Sequence, residues 1–145
     1  MVDIGAMLEG YASDMTRTVF VGRPDERARR VYHAVLQAVG RASGRVRAGV
    51  PVAEIDAEAR RALEEAGFAA EAFRHGTGHG LGLEAHEAPR IGKGREERLA
   101  AGMVITIEPG VYVPGWGGVR IEDVVVVEEA GCRLLTPTPK EILFV

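Results

Sequence analysis

Three of the four histidines, His75, His79 and His86, fall in one glycine-rich stretch, His75-Gly76-Thr77-Gly78-His79-Gly80-Leu81-Gly82-Leu83-Glu84-Ala85-His86. The spacing of His75 and His79 would suit two ligands on one helical turn. Glycines at 76, 78, 80 and 82 argue against a helix, since each costs about 1 kcal/mol relative to Ala there. An extended, close-packed segment fits better, with glycine admitting a neighbouring backbone or a ligand. A phosphate-cradling loop is a poor match, because no strand-then-helix context surrounds the glycines and no Lys-Ser/Thr pair follows. Histidines scattered in a flexible loop would need no acidic partners.

The rest of the chain supplies such partners. Asp3 lies between Val2 and Ile4 at the start of an apolar strand. A tight turn near Leu8-Glu9-Gly10 sets Asp3 opposite Asp14 on one face of a hairpin. Two like charges on a buried face repel unless they hold a cation or share a proton. Further on, a hairpin centred near Gly115 sets Glu108 opposite Glu122. Side chains alternate along strands, so Glu108 and Tyr112 share a face with Arg120 and Glu122, while Asp123 points away. Asp3, Asp14, Glu108 and Glu122 could therefore converge with His79. An oxygen-rich set with one imidazole suits Mn²⁺, Co²⁺ or Zn²⁺ better than a metal that prefers thiolates. Four carboxylates are too many for one divalent ion and reasonable for two. Two such ions can hold a shared hydroxide and polarise a carbonyl.

The elements that must position these groups alternate little. Residues 1–21 read as a β-hairpin whose second arm runs from Tyr11 to Val21. A helix follows over about 24–46, with Pro24 in its first turn and Asp25 and Glu26 at its positive end. Ala28, Val31, Tyr32, Val35, Leu36, Val39 and Val46 mark its buried face, with Arg27, Arg30, Arg41 and Arg45 mostly on the other. A second helix over about 53–66 has Ile55, Ala59, Leu63 and Ala66 as its apolar stripe. Its acidic residues, Glu54, Asp56, Glu58, Glu64 and Glu65, read mostly as solvent-facing. His86-Glu87-Ala88-Pro89 reads as loop. From Met103 onward the chain is mostly β.

The chain has 145 residues, 46% hydrophobic and 27% charged, which fits one globular domain. A net charge of −3 leaves no electrostatic footprint for nucleic acid or an anionic membrane. No apolar run is long enough to span a bilayer, and no signal peptide is visible. Cys132 is the only cysteine, so no internal disulfide forms and a cytoplasmic location is expected. Cys132 itself reads as a buried small residue, and His33 as structural or surface.

Six blocks together resemble the metallopeptidases of the pita-bread fold, which include Xaa-Pro aminopeptidases, prolidases and methionine aminopeptidases. They are Val2-Asp3-Ile4-Gly5-Ala6, Asp14-Met15-Thr16-Arg17-Thr18, His75 to Gly82, His86-Glu87, Thr106-Ile107-Glu108-Pro109-Gly110-Val111-Tyr112 and Gly118-Val119-Arg120-Ile121-Glu122-Asp123. The resemblance implies an α+β fold, a curved antiparallel sheet covered by two helices. It implies that Asp3 chelates one metal, that Asp14 and Glu122 bridge two, and that His79 and Glu108 complete the other. Glu108 would also take a proton from the bridging water. His86 would stabilise the oxyanion, and His75, Tyr112 and Arg120 would line the substrate pocket. Glu-Pro-Gly-x-Tyr with Gly-x-Arg-Ile-Glu-Asp resembles the Xaa-Pro branch. The expectation is a Mn²⁺- or Co²⁺-dependent dinuclear hydrolase, with Zn²⁺ as a further candidate, cleaving peptides with proline at the second position through a metal-bound hydroxide. A methionine aminopeptidase-type enzyme and a non-catalytic binding module or inactive fragment are the alternatives, and a homodimer is left open. Family catalytic domains carry roughly a hundred residues before the Asp3 strand, within the usual domain size. Residues 1–145 are therefore expected to be a partial catalytic domain, with weak metal binding and negligible turnover alone.

Overall fold

A computed structural model describes residues 1–145. The chain begins with short strands β1 (Val2–Ile4), β2 (Met7–Leu8), β3 (Tyr11–Ala12), β4 (Met15–Arg17) and β5 (Val19–Phe20), followed by helices α1 (Glu26–Ser43) and α2 (Val52–Glu65). Strands β6 (Gly78–Gly80), β7 (Glu87–Ile91), β8 (Val104–Ile107), β9 (Gly110–Val113), β10 (Gly117–Arg120), β11 (Asp123–Val127), β12 (Cys132–Leu134) and β13 (Leu143–Phe144) complete it. The central sheet is antiparallel, in the order β12-β11-β8-β6-β7. The two helices pack on each other, with α2 against β7 and α1 against β8, β9 and β10. No helix is long and apolar enough to cross a membrane.

The helices form where apolar spacing and capping agree. Asp25 caps α1, its side chain accepting from the Ala28 amide at 2.7 Å. The inward face of α1 carries Val31, Tyr32, Val35 and Val39, and that of α2 carries Ile55, Ala59 and Leu63. Both faces join Ile91, Ile105, Ile107 and Ile121 of the sheet layer in one apolar core. Asp56 and Glu58 of α2 are buried too, contrary to the solvent-facing role expected of them. Asp56 accepts from Arg60 and Thr77, and Glu58 from Arg41 and Arg61, so neither is left without a partner.

Strand β6 lies between β7 and β8, and its glycines explain how closely. A Cβ on Gly78 would lie 1.9 Å from the Thr106 carbonyl oxygen, and one on Gly80 2.1 Å from that of Ala88. Between them stands His79, with the only substantial side chain of the strand. Glu87–Ile91 is a strand and not the loop expected from Pro89; β7 is the sheet's outer member, where proline is tolerated.

The N-terminal hairpin differs in register from the sequence reading. Asp3 pairs with Thr16, not Asp14, and Leu8 pairs with Tyr11. The turn is therefore the two residues Glu9 and Gly10, both at positive φ (51° and 85°), as a primed hairpin turn requires. A shift of two residues keeps side chains on the same face, so Asp3 and Asp14 remain on one side. That face is not buried at β1, where Val2, Asp3 and Ile4 are all exposed.

Candidate metal centre

Glu108 and Glu122 sit at a break common to two ladders. Ile107 pairs with Asp123 on one side of the break, and Gly110 with Arg120 on the other. The registers agree across the gap, so Glu108 and Glu122 stand opposite each other, as the Gly115-centred hairpin requires. In the gap their backbone amides turn to other segments. The Glu108 amide donates to the Thr77 carbonyl at 2.7 Å, and the Glu122 amide to the Thr16 carbonyl at 3.0 Å. The break thus ties the His79 segment and the Asp14 hairpin to the two glutamates. Asp123 points to the other side, where Arg17 and Lys140 hold it at 2.8 and 2.7 Å.

Asp14, His79 and Glu122 bring one ligand atom each within 4.8 Å of one another. His79 Nε2 is 3.4 Å from Glu108 Oε1 and 3.8 Å from Asp14 Oδ2. His79 Nδ1 lies 2.9 Å from the Gly80 carbonyl oxygen, so Nδ1–H donates there and leaves the Nε2 lone pair for the centre. Burial holds the His79 pKa below its ordinary value, which favours that neutral form. Two buried threonines orient the carboxylates. Thr16 Oγ1 donates to Glu122 Oε2 at 2.6 Å, and Thr106 Oγ1 to Glu108 Oε1 at 3.4 Å.

The carboxylates crowd one another. Burial, then the neighbouring Glu122, pushes Glu108 up to about 8. Burial also raises Glu122 to about 7, with Asp14 and Asp3 adding repulsion. Burial and Asp3 raise Asp14. An unprotonated imidazole nitrogen among carboxylates that resist ionising together is a donor set that fits divalent cations. Asp3 fits less closely: its side chain is about half exposed (51%) and pairs with the Arg120 guanidinium.

Arg120 joins the two sides. Its Nε donates to Thr16 Oγ1 at 3.2 Å, its NH1 to Tyr112 Oη at 3.3 Å, and its NH2 to Asp3. Tyr112 Oη in turn lies 3.0 Å from His75 Nε2, and His75 Nδ1 donates to the Gly76 carbonyl at 2.7 Å. Burial lowers the His75 pKa, which keeps Nε2 an acceptor for the tyrosine hydroxyl. His86 is exposed, with its ring centroid 4.2 Å from that of His79. His79, His86 and Glu108 line both a small cavity of about 280 Å³ shared with Asp3, Asp14 and Glu122 and a wider cleft of about 460 Å³. The cleft carries Arg60, Arg74, His75, Arg90, Lys93 and Arg95 on its walls.

Seven of the nine residues singled out by the sequence line these two adjoining spaces, with Asp3 at the open margin, and Tyr112 and Arg120 are tied to them by hydrogen bonds to His75 and Asp3. The threonines at 16, 77 and 106 and the buried Asp56 were not singled out. The available signal for Asp56 was Arg60 four residues on, at ion-pair spacing along a helix.

The profile of Metallopeptidase family M24 matches residues 1–129. An Xaa-Pro dipeptidase of Pyrococcus furiosus is 48% identical over 99% of this chain, which spans 41% of that protein. Among solved structures, an X-Pro aminopeptidase from Thermotoga maritima superposes with a TM-score of 0.95 at 40% identity, over 99% of this chain and 40% of that one. Dipeptidase PepE from Mycobacterium ulcerans gives 0.95 at 47% identity, over 99% and 38%. The chain has their pita-bread architecture and about two-fifths of their length.

Proposed function

The chain belongs to metallopeptidase family M24, and from that premise we propose that it supplies the metal centre of an enzyme hydrolysing the bond between an N-terminal residue and proline. The observation that carries the reading is the convergence of Asp14, His79 and Glu122 within 4.8 Å, with Glu108 beside His79. The names of the relatives, Xaa-Pro dipeptidase and X-Pro aminopeptidase, support the choice of substrate.

Asp3, Asp14, His79, Glu108 and Glu122 would hold two divalent ions, Mn²⁺ or Co²⁺ before Zn²⁺. When bound, such ions polarise the scissile carbonyl and acidify water. The protein's own groups do the rest. Glu108 Oε1 accepts the proton of the attacking water and returns it to the proline nitrogen as the bond breaks. His86 donates to the carbonyl oxygen as negative charge develops. Arg120, Tyr112 and His75 form a hydrogen-bonded row that reaches the cleft at His75 and would orient the substrate.

In the complete enzyme that contains this segment, elemental analysis after reconstitution with Mn²⁺ or Co²⁺ tests the centre, and comparison of Ala-Pro and Met-Ala peptides tests specificity. Two ions per chain and a preference for Ala-Pro are expected. Saturation at one ion with Asp3→Ala unchanged overturns the two-ion assignment. Equal or faster cleavage of Met-Ala favours a methionine aminopeptidase instead.

A further inference from the structure

A buried carboxylate on α2 touches neither the cleft nor the ligands, yet its hydrogen bonds lead to both. Asp56 is 1% exposed. Its Oδ1 accepts from Thr77 Oγ1 at 2.8 Å and from Arg60 NH2 at 3.1 Å, and its Oδ2 from Arg60 Nε at 2.8 Å. The Thr77 carbonyl then receives the Glu108 amide at 2.7 Å. Arg60 also donates to the Phe73 and His75 carbonyls at 2.8 and 2.9 Å, with its guanidinium 4.2 Å from the Phe73 ring centre.

We propose that Asp56 is a positioning residue that sets both sides of the site at once: Glu108 through Thr77, and His75 through Arg60. The inference rests on the metallohydrolase reading above. Stability alone is a weak reason for the arrangement, because apolar residues of similar size often replace a buried ion pair without loss. Apolar side chains cannot, however, fix the directions of two carbonyls and a hydroxyl. The segment from Phe73 to Thr77 precedes β6 and contains Gly76, so little in its own backbone defines its path. The Asp56–Arg60 fork supplies that definition from a rigid helix. The hydrogen bond between Thr77 and Glu108 then carries it into the gap where the two glutamates face each other.

The test separates positioning from folding. Co²⁺ uptake by the complete enzyme that contains this segment is followed by equilibrium dialysis and by the visible absorption of the bound ion. Asp56→Asn, Thr77→Val and Thr77→Ser are compared with Leu63→Ala, a core change in the same helix. Outer hydrogen-bond partners of metal ligands typically change affinity by about 10- to 100-fold. Asp56→Asn and Thr77→Val should therefore weaken Co²⁺ binding by about tenfold and shift the absorption band, whereas Thr77→Ser, which keeps the hydroxyl, should restore both. Leu63→Ala should lower the melting temperature while leaving affinity within about twofold, because it removes packing and no hydrogen bond to the site. Arg60→Lys should raise KM for Ala-Pro and leave Co²⁺ affinity unchanged. Unaltered affinity and spectrum in Thr77→Val overturn the proposal, as does an affinity loss in Leu63→Ala equal to that in Asp56→Asn. Absence of Co²⁺ uptake by the unsubstituted complete enzyme overturns the metal reading itself, and this inference with it.

Discussion

Glu122, in the gap between β10 and β11, and Asp3, on β1, are carboxylates bordering one cavity, yet the structure supports them very differently. Glu122 is 2% exposed. Its amide is bonded to Thr16, its carboxylate to the Thr16 hydroxyl, and its chain neighbours Ile121 and Asp123 are buried. Asp3 stands on a three-residue strand exposed throughout and is held by one ion pair to Arg120. Met7, Leu8 and Tyr11 in the same hairpin are exposed as well. The difference teaches that ligand type and order do not measure ligand quality. A carboxylate whose rotamer is locked by packing and a hydroxyl is prepared for a cation, whereas one at a solvated edge must first be ordered.

The largest effect should come from removing the two ligands separately. Glu122→Ala is expected to abolish uptake of Mn²⁺ or Co²⁺, since it deletes a member of the close triad and leaves Thr16 without its acceptor. Asp3→Ala is expected to leave one ion bound and lose the other. Atomic absorption on dialysed protein reads both. Equal loss in the two variants would show that the half-exposed Asp3 is as well prepared as Glu122, and the comparison would fail.

A smaller effect concerns pH in the metal-free protein. The folded-state pKa values of Glu108 and Glu122 are raised to about 8 and about 7. The native state therefore binds protons more tightly than the unfolded chain above the ordinary carboxylate range. Stability should be greatest in mild acid, fall as the pH rises from that range to about 8, and then level off. Divalent ions should flatten the fall, and their binding near pH 6 should release more protons than binding near pH 9. Melting curves across this range with and without Mn²⁺ check the sign. Glu108→Gln should remove the upper part of the slope, and Glu108→Gln together with Glu122→Gln most of it. A slope that persists in the double variant would place the strain outside the glutamate pair.

The same contrast marks what could be read from the sequence. The pairing of Glu108 with Glu122 was legible because Gly115 centres a hairpin whose register continues through the gap into β8 and β11. The helices were legible within a few residues because Asp25 and the apolar spacing agree. The glycines around His79 were legible as close-packed backbone, since no Cβ fits beside the Thr106 or Ala88 carbonyl. Register in the first hairpin was not, because Glu9 adopts a positive φ that turn preferences reserve for Gly, Asn or Asp. Burial of Asp56 was hidden for another reason. An acidic residue between apolar helix positions looks solvent-facing until a partner from a distant segment, here Thr77, is known.

The smallest effect, and the finest test of the contrast, lies in the turn that sets Asp3. Glu9 at φ 51° carries a side chain in a region where most residues other than glycine are strained. A left-handed conformation costs about 1–2 kcal/mol for an ordinary L-residue and less for Asn, whose short side chain bonds locally. Glu9→Asn makes the turn an Asn-Gly pair, the strongest preference for a primed two-residue hairpin. It touches neither the cavity nor the core, because Glu9 is exposed and five residues from Asp14. Tightening the turn should reinforce the pairing of Leu8 with Tyr11 and, through it, of Asp3 with Thr16. Stability should rise by about 0.5–1 kcal/mol, and the Asp3-dependent ion should bind slightly tighter, by less than about fivefold. Binding of the other ion should change less, because Asp14 is its only ligand on the hairpin. Calorimetric titration of Co²⁺ into both proteins separates the two steps. If both ions gain equally, the turn acts on the whole site and Asp3 is not its separately weak member. If stability rises and neither affinity moves, the weakness of Asp3 lies in its exposure and its ion pair with Arg120, not in the register of its strand.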